Sequence, residues 1–196
     1  MGRTRREIQS HCGHREYSFD NCYGALRKRD VISINIPNAF IQAENPHKEV
    51  GERVIMKVRG RLVEWLIELS PAEYKDKVVY ERGVKVLYLL VEKAIYGMLE
   101  ASLIWYRTLR RDLEQIGFKF NTYDFCIANR YEGENQQTLR LHVDDMLVSC
   151  RDAERNKEFH KWCQSKYGAY EEVKCNTGKK HTFLQMELNF GRTPGR

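Results

Sequence analysis

Apolar residues recur along this chain with two different periods. Val31 to Ile36 (Val-Ile-Ser-Ile-Asn-Ile) is β-branched and mostly apolar, the composition of a buried strand. Pro37 has no N–H for a ladder and ends it. Arg53 to Val58 reads as a second strand closed by Gly60, residues 61–76 as a short helix with a turn at Ser70-Pro71, and Val84 to Val91 as a further strand. From Ser102 to Ile116 the period changes: Leu103, Ile104, Trp105, Leu109, Leu113 and Ile116 recur at helical spacing, and Gly117 is the stop. Leu139, Leu141 and Val143 then alternate with Thr138, Arg140 and His142, and Met146 to Cys150 is apolar again. That is a hairpin pattern with Asp144-Asp145 as its two-residue turn. Asp152 reads as the cap of a helix running to about Tyr167, with Phe159, Trp162 and Cys163 inward. Thr182 to Phe190 reads as a closing strand or hairpin. Strands and helices without regular βαβ alternation predict an α+β fold.

Composition narrows the class. The 196 residues include 33 Lys and Arg against 27 Asp and Glu, a net charge of +6, which suits a polyanionic partner. A hydrophobic content of 42% with only 4 Pro supplies a core and excludes a disordered or fibrous chain. No apolar run reaches the ~18 residues a membrane-spanning helix needs, and the basic start Met1 to Arg6 has no apolar stretch behind it, so no signal peptide and no membrane partner are predicted. The six cysteines form no close pair and read as reduced thiols of an intracellular chain. His11, Cys12, His14 and Cys22 match no closed zinc spacing and read as chance clustering. Arg107, Arg110 and Arg111 fall in one helix, and Lys179, Lys180 and His181 precede the last strand; each group is a candidate for salt-dependent phosphate contact, with a solvated charged face as the plain alternative. Trp65, Trp105 and Trp162 could stack on bases, but helical spacing puts Trp105 and Trp162 in the core.

The sharpest chemical feature is His142-Val143-Asp144-Asp145. Adjacent carboxylates at a hairpin tip repel each other unless a cation offsets them, and a hard divalent cation such as Mg²⁺ is the natural partner for oxygen ligands. Alone, an Asp-Asp pair is better explained as a polar turn. It is accompanied, in order, by Asn35-Ile36-Pro37-Asn38-Ala39-Phe40, by Lys93-Ala94-Ile95-Tyr96-Gly97-Met98 with Trp105-Tyr106, by Gly117-Phe118 with Asp124, and by Thr182-Phe183-Leu184-Gln185-Met186. With these motifs the chain resembles the reverse transcriptases of copia-type retrotransposons, from about Asp30 to Phe190. That family has Asp-x-x-x-Ala-Phe, then Lys-Ala-Leu-Tyr-Gly-Leu with an aromatic pair, then Val-Asp-Asp.

The resemblance implies a polymerase palm, an antiparallel sheet packed by helices. Residues 1–29 would be a leader or a remnant of the fingers, residues 30–190 the palm and residues 191–196 a tail, with incomplete fingers and no evident thumb. It implies two-metal nucleotidyl transfer with Mg²⁺ or Mn²⁺ on a primer–template of RNA or DNA, using deoxynucleoside triphosphates. Asp144 and Asp145 would be catalytic metal ligands, and the carbonyl of Ile36 would complete a metal site. Phe40 would pack against the sugar, and Gly97 would sit where backbone approaches nucleotide or template. A cytoplasmic location follows from where such elements copy themselves, with a nuclear one open.

Three departures bear on activity. The family's first metal-binding Asp falls at Asn35, which has the shape of the ligand without its charge. Asp30 is five residues away and points to the other face of a strand, so it is a poor substitute. Metal-centred charge stabilisation contributes several kcal/mol, so weak or absent catalysis is expected. The fingers and thumb are not recognisable, and Gln185 replaces a family Gly. The alternative to a polymerase is a remnant of such a domain that binds nucleic acid, or only keeps the fold.

Overall fold

The computed structural model describes residues 29–46 and 53–191. The expected leader, apart from Arg29, lies outside the described residues. So do the His11, Cys12, His14 and Cys22 group and the tail beyond residue 191. Eleven strands and four α-helices form here. The strands are β1 (Asp30–Asn35), β2 (Ile55–Arg59), β3 (Val79–Glu81), β4 (Val84–Leu90), β5 (Lys119–Phe120), β6 (Ile127–Glu132), β7 (Asn135–His142), β8 (Asp145–Cys150), β9 (Lys174–Asn176), β10 (Lys180–Phe183) and β11 (Met186–Asn189). The helices are α1 (Arg61–Leu69), α2 (Pro71–Tyr74), α3 (Ala101–Gln115) and α4 (Ala153–Tyr167). Every strand pairing is antiparallel. The mixed helix-and-sheet class read from the pattern is the class observed. The short strands β3, β5 and β9, and the polar β6, escaped the periodicity because they are brief or alternate weakly.

The main sheet has six strands in the order β5-β6-β7-β8-β1-β9. The first strand in sequence is thus inserted between two late ones. Alternation along β1 gives it two faces. Ile32, Ile34 and Ile36 lie under the helices, in one core with Trp105, Leu109 and Leu113 of α3 and Phe159, Cys163 and Tyr167 of α4. The spacing of four between Trp105, Leu109 and Leu113 is why α3 presents one continuous apolar stripe. Burying each such side chain stabilises by roughly 1.5–3 kcal/mol. Helix α4 begins at Asp152, whose side chain accepts the Glu154 backbone N–H at 3.0 Å.

Val31 and Leu147 occupy the opposite face, covered by Phe183 and Leu188 of the β10–β11 hairpin. That hairpin covers only part of the face. It leaves a cleft of about 210 Å³ lined by Ser33, Asn35, Asp145, Lys174, Asn176 and Thr182. A smaller sheet, β2-β4-β3, packs Val58 and Leu87 against Val63 of α1. It is tied to the main body by the N–H of Asn45 donating to Glu92 O at 2.8 Å and that of Ala94 to Ala43 O at 2.9 Å. Among the described residues no helix is long and apolar enough to cross a membrane.

One buried titratable group joins the hairpin to the sheet. His181 is 2% exposed, with Nδ1 3.0 Å from Ser33 Oγ, its ring edge-on to Phe190 and Nε2 without a partner among the described residues. Burial pushes its pKa below 6.5, against smaller opposing effects of the Gly178 backbone and the Asp30 charge. A base whose folded pKa is depressed leaves stability intact above the unfolded value and costs stability as pH falls below it. Melting curves are therefore expected to show a loss of up to about 1.4 kcal/mol per pH unit from this one proton below about pH 6.5. His181→Asn should flatten that part of the pH profile; identical profiles for the two proteins would refute the assignment.

Candidate functional site

The β7–β8 hairpin places both carboxylates, with its turn one residue earlier than expected. His142 pairs with Asp145, so the turn is Val143-Asp144 and Asp145 opens β8. Val143 has φ 54°, a left-handed conformation that β-branched residues rarely adopt. Two donors hold the turn. The Trp105 indole N–H donates to Val143 O at 2.7 Å, and the Ile36 N–H donates to Asp144 O at 2.9 Å. In β1, Asn35 is registered opposite Asp145, which brings the motifs around residues 35 and 144 together.

Asn35 joins the pair directly. Its Nδ2 donates to Asp144 Oδ2 at 3.1 Å and to Asp145 Oδ1 at 2.9 Å. Both neighbours are acceptors, so the amide nitrogen, not the oxygen, faces them. Hydrogen bonds to carboxylates are strong ones, and these two put partial positive charge between the acids. Among the described residues no group of three or more His, Cys, Asp or Glu could hold a metal ion. Two carboxylates bridged by an amide donor do not fit a pair of divalent ions.

The other expected residues distribute unevenly. Ile36 is fully buried and reaches the site through its backbone. Phe40 sits in a short 3₁₀ turn, 9% exposed within the main core, with the Tyr96 ring 4.6 Å away; Tyr96 itself is exposed. Gly97 has φ +99°, and among the described residues none beyond its chain neighbours comes within 4 Å of where a Cβ would be. Its demand is thus a backbone conformation, rather than a close neighbour within the chain. Asp30 faces the helices, where its Oδ2 accepts from Asn156 Nδ2 at 2.8 Å, so it is no substitute for Asn35. Arg107, Arg110 and Arg111 ride on α3, across the sheet from Asn35 and Asp145. There Arg110 pairs with Glu114 at 2.8 Å and lies over Phe120, and Arg111 is 3.4 Å from Asp112. Lys179 and Lys180 are exposed at the start of the β10–β11 hairpin, on the same side of the sheet as the carboxylates.

Two features carried no signal in the pattern. The Trp105 hydrogen bond joins residues 38 apart, and a core tryptophan does not announce where its N–H points. Leu184 and Gln185 both have positive φ, 53° and 62°. They form the turn between β10 and β11, and Gln185, where the resemblance has Gly, takes a conformation that favours glycine.

The sequence model of the family described as "Reverse transcriptase (RNA-dependent DNA polymerase)" matches residues 75–189, more than half of the chain. Among solved structures, a chain from the structure of telomerase from Candida albicans, in complex with a fragment of telomeric RNA, is similar. It has a TM-score of 0.45 and 13% sequence identity, covering 89% of this chain and 33% of that one. The chain thus spans about a third of the length of that telomerase chain.

The amide bridge makes a stability prediction. Asn35→Asp replaces two donated hydrogen bonds by carboxylate repulsion, and is expected to cost about 1–3 kcal/mol in a chelator. Added Mn²⁺ should raise the melting temperature of that variant and leave the unaltered protein nearly unchanged. Equal responses of the two proteins to Mn²⁺ would show that the amide is not standing in for a cation.

Proposed function

This chain belongs to the reverse transcriptase (RNA-dependent DNA polymerase) family, and from that premise we propose that it is the palm portion of a copia-type retrotransposon enzyme whose nucleotidyl transfer is impaired at Asn35. The observation that carries the reading is the Asn35 amide donating to both Asp144 and Asp145. In this family's chemistry divalent ions, Mg²⁺ or Mn²⁺, supply the charge that stabilises the transferring phosphate. Asp144 and Asp145 keep two of the carboxylates such ions would need, but with the Asn35 amide donating between them the three residues do not fit a pair of ions. Asn35 keeps the position and contributes a donor in place of a charged acceptor. Losing a few kcal/mol of that stabilisation corresponds to a rate loss of roughly a hundredfold or more.

The partners that fit are a primer–template of RNA or DNA and deoxynucleoside triphosphates. Lys179 and Lys180, exposed on the carboxylate side of the sheet, are better placed for its phosphates than the α3 arginines. Phe40, beneath Tyr96, and the Gly97 backbone are the nearest candidates for shaping a nucleotide pocket. A second reading, a nucleic-acid-binding remnant without chemistry, is favoured by the same amide bridge, which gives both acids a hydrogen-bond donor without any ion. It keeps salt-sensitive phosphate contacts and predicts no extension.

Primer extension on an RNA template with Mg²⁺ or Mn²⁺, comparing the unaltered chain with Asn35→Asp, tests the proposal. Extension by Asn35→Asp at a rate about a hundredfold or more above the unaltered chain is expected. Equal extension by both would show that Asn35 is not disabling. No extension by either, with salt-sensitive binding of primer–template by both, would leave the remnant as the function.

A further inference from the structure

We propose that Trp105 is a positioning residue for the Asp144-Asp145 turn, acting through its indole N–H. The proposal deepens the reading of the site given above and rests on it for its catalytic consequence, but not for its structural one. Trp105 is 1% exposed, deep among the core residues of α3. A buried indole N–H needs an acceptor, and the acceptor here is Val143 O at 2.7 Å, the carbonyl immediately before Asp144. Val143 holds φ 54° with a β-branched side chain. Such a conformation persists only where its surroundings over-determine it.

The surroundings supply that constraint from two directions. The indole holds the Val143 carbonyl from the helix side, and the Ile36 N–H holds the next carbonyl, that of Asp144, from β1 at 2.9 Å. The indole is itself held. The Tyr167 ring meets it edge-on at 5.4 Å, and the Tyr167 hydroxyl donates to Asp112 Oδ2 at 2.9 Å, back on the helix that carries Trp105. A phenylalanine at position 105 would fill most of the same volume and leave the Val143 carbonyl without its donor. The substitution thus combines a small packing loss with loss of the donor that holds the turn, and the two have different local consequences.

The test uses amide hydrogen exchange of the full chain. The Ile36 amide reports on the turn, because its acceptor is Asp144 O. The Leu141 amide, which donates to Cys126 O at 2.8 Å in the same sheet, is the control. Trp105→Phe is expected to speed Ile36 exchange by about tenfold and to leave Leu141 within about twofold. Adding Val143→Gly, which accepts positive φ at no steric cost, is expected to restore most of the protection. Should Trp105→Phe not fold, 3-benzothienylalanine at position 105 has nearly the shape of tryptophan without the N–H, and the same result is expected of it. Unchanged Ile36 exchange, or equal acceleration at Ile36 and Leu141, would overturn the proposal, since a purely packing role loosens both.

In the Asn35→Asp background, primer extension adds the functional readout. Loss of the N–H should lower kcat about tenfold with KM for the nucleotide unchanged, and Val143→Gly should recover it. An altered KM with unchanged kcat would overturn the positioning role. If Asn35→Asp does not extend primers at all, the polymerase reading is what fails, and the exchange results decide the role of Trp105 by themselves.

Discussion

Two carboxylates on consecutive residues at the end of a hairpin repel each other, and the architecture around Asp144 and Asp145 is arranged to tolerate that repulsion. The Ile36 backbone N–H donates to the turn, the Asn35 amide donates to the side chains, and β1 must lie beside β8 for either to reach. That requirement explains why the first described strand sits inside the sheet between β8 and β9, rather than at its edge. In that position its even-numbered residues are committed to the helix-side core and its odd-numbered residues to the opposite face.

The division between faces is also a division of labour. The helix side is apolar and supports the site from beneath, through Trp105 at the turn and Ile36 at the strand end. The opposite side carries the Asn35–Asp145 pair, the adjoining cleft and the exposed Lys179 and Lys180. The β10–β11 hairpin covers this side only as far as Val31 and Leu147, with the buried His181–Ser33 contact next to the cleft. Basic residues on α3 belong to the other surface, where Glu114 and Asp112 already engage two of the arginines.

An amide in place of a carboxylate changes the electrostatic character of such a site without changing its shape. An ion-binding arrangement holds excess negative charge that only a cation relieves. Here the donor that relieves it is covalently part of the chain. The geometry of the three residues is thus compatible with a stable fold in which nothing needs to be bound.

The sequence alone determined the mixed helix-and-sheet class, the boundaries of α3 and α4 to within a residue or two, and the β7–β8 hairpin. Each has a strong apolar period, and period is a local property. It also singled out Asn35, Asp144 and Asp145 by the order of motifs, and set Asp30 aside by strand parity, as its contact with Asn156 bears out. Only the tertiary structure decided that the turn is Val143-Asp144, because a one-residue shift in register depends on what pairs across the hairpin and on the donors that hold φ 54° at Val143. Only the fold could place the α3 arginines across the sheet from the carboxylates and Lys179 and Lys180 on the same side as them, since both clusters look alike as strings of charge. The direction of the Asn35 amide and of the Trp105 N–H was likewise undecidable from residue order. Each is set by an acceptor more than 30 residues away, and hydrogen-bond direction is fixed by three-dimensional neighbours rather than by spacing along the chain.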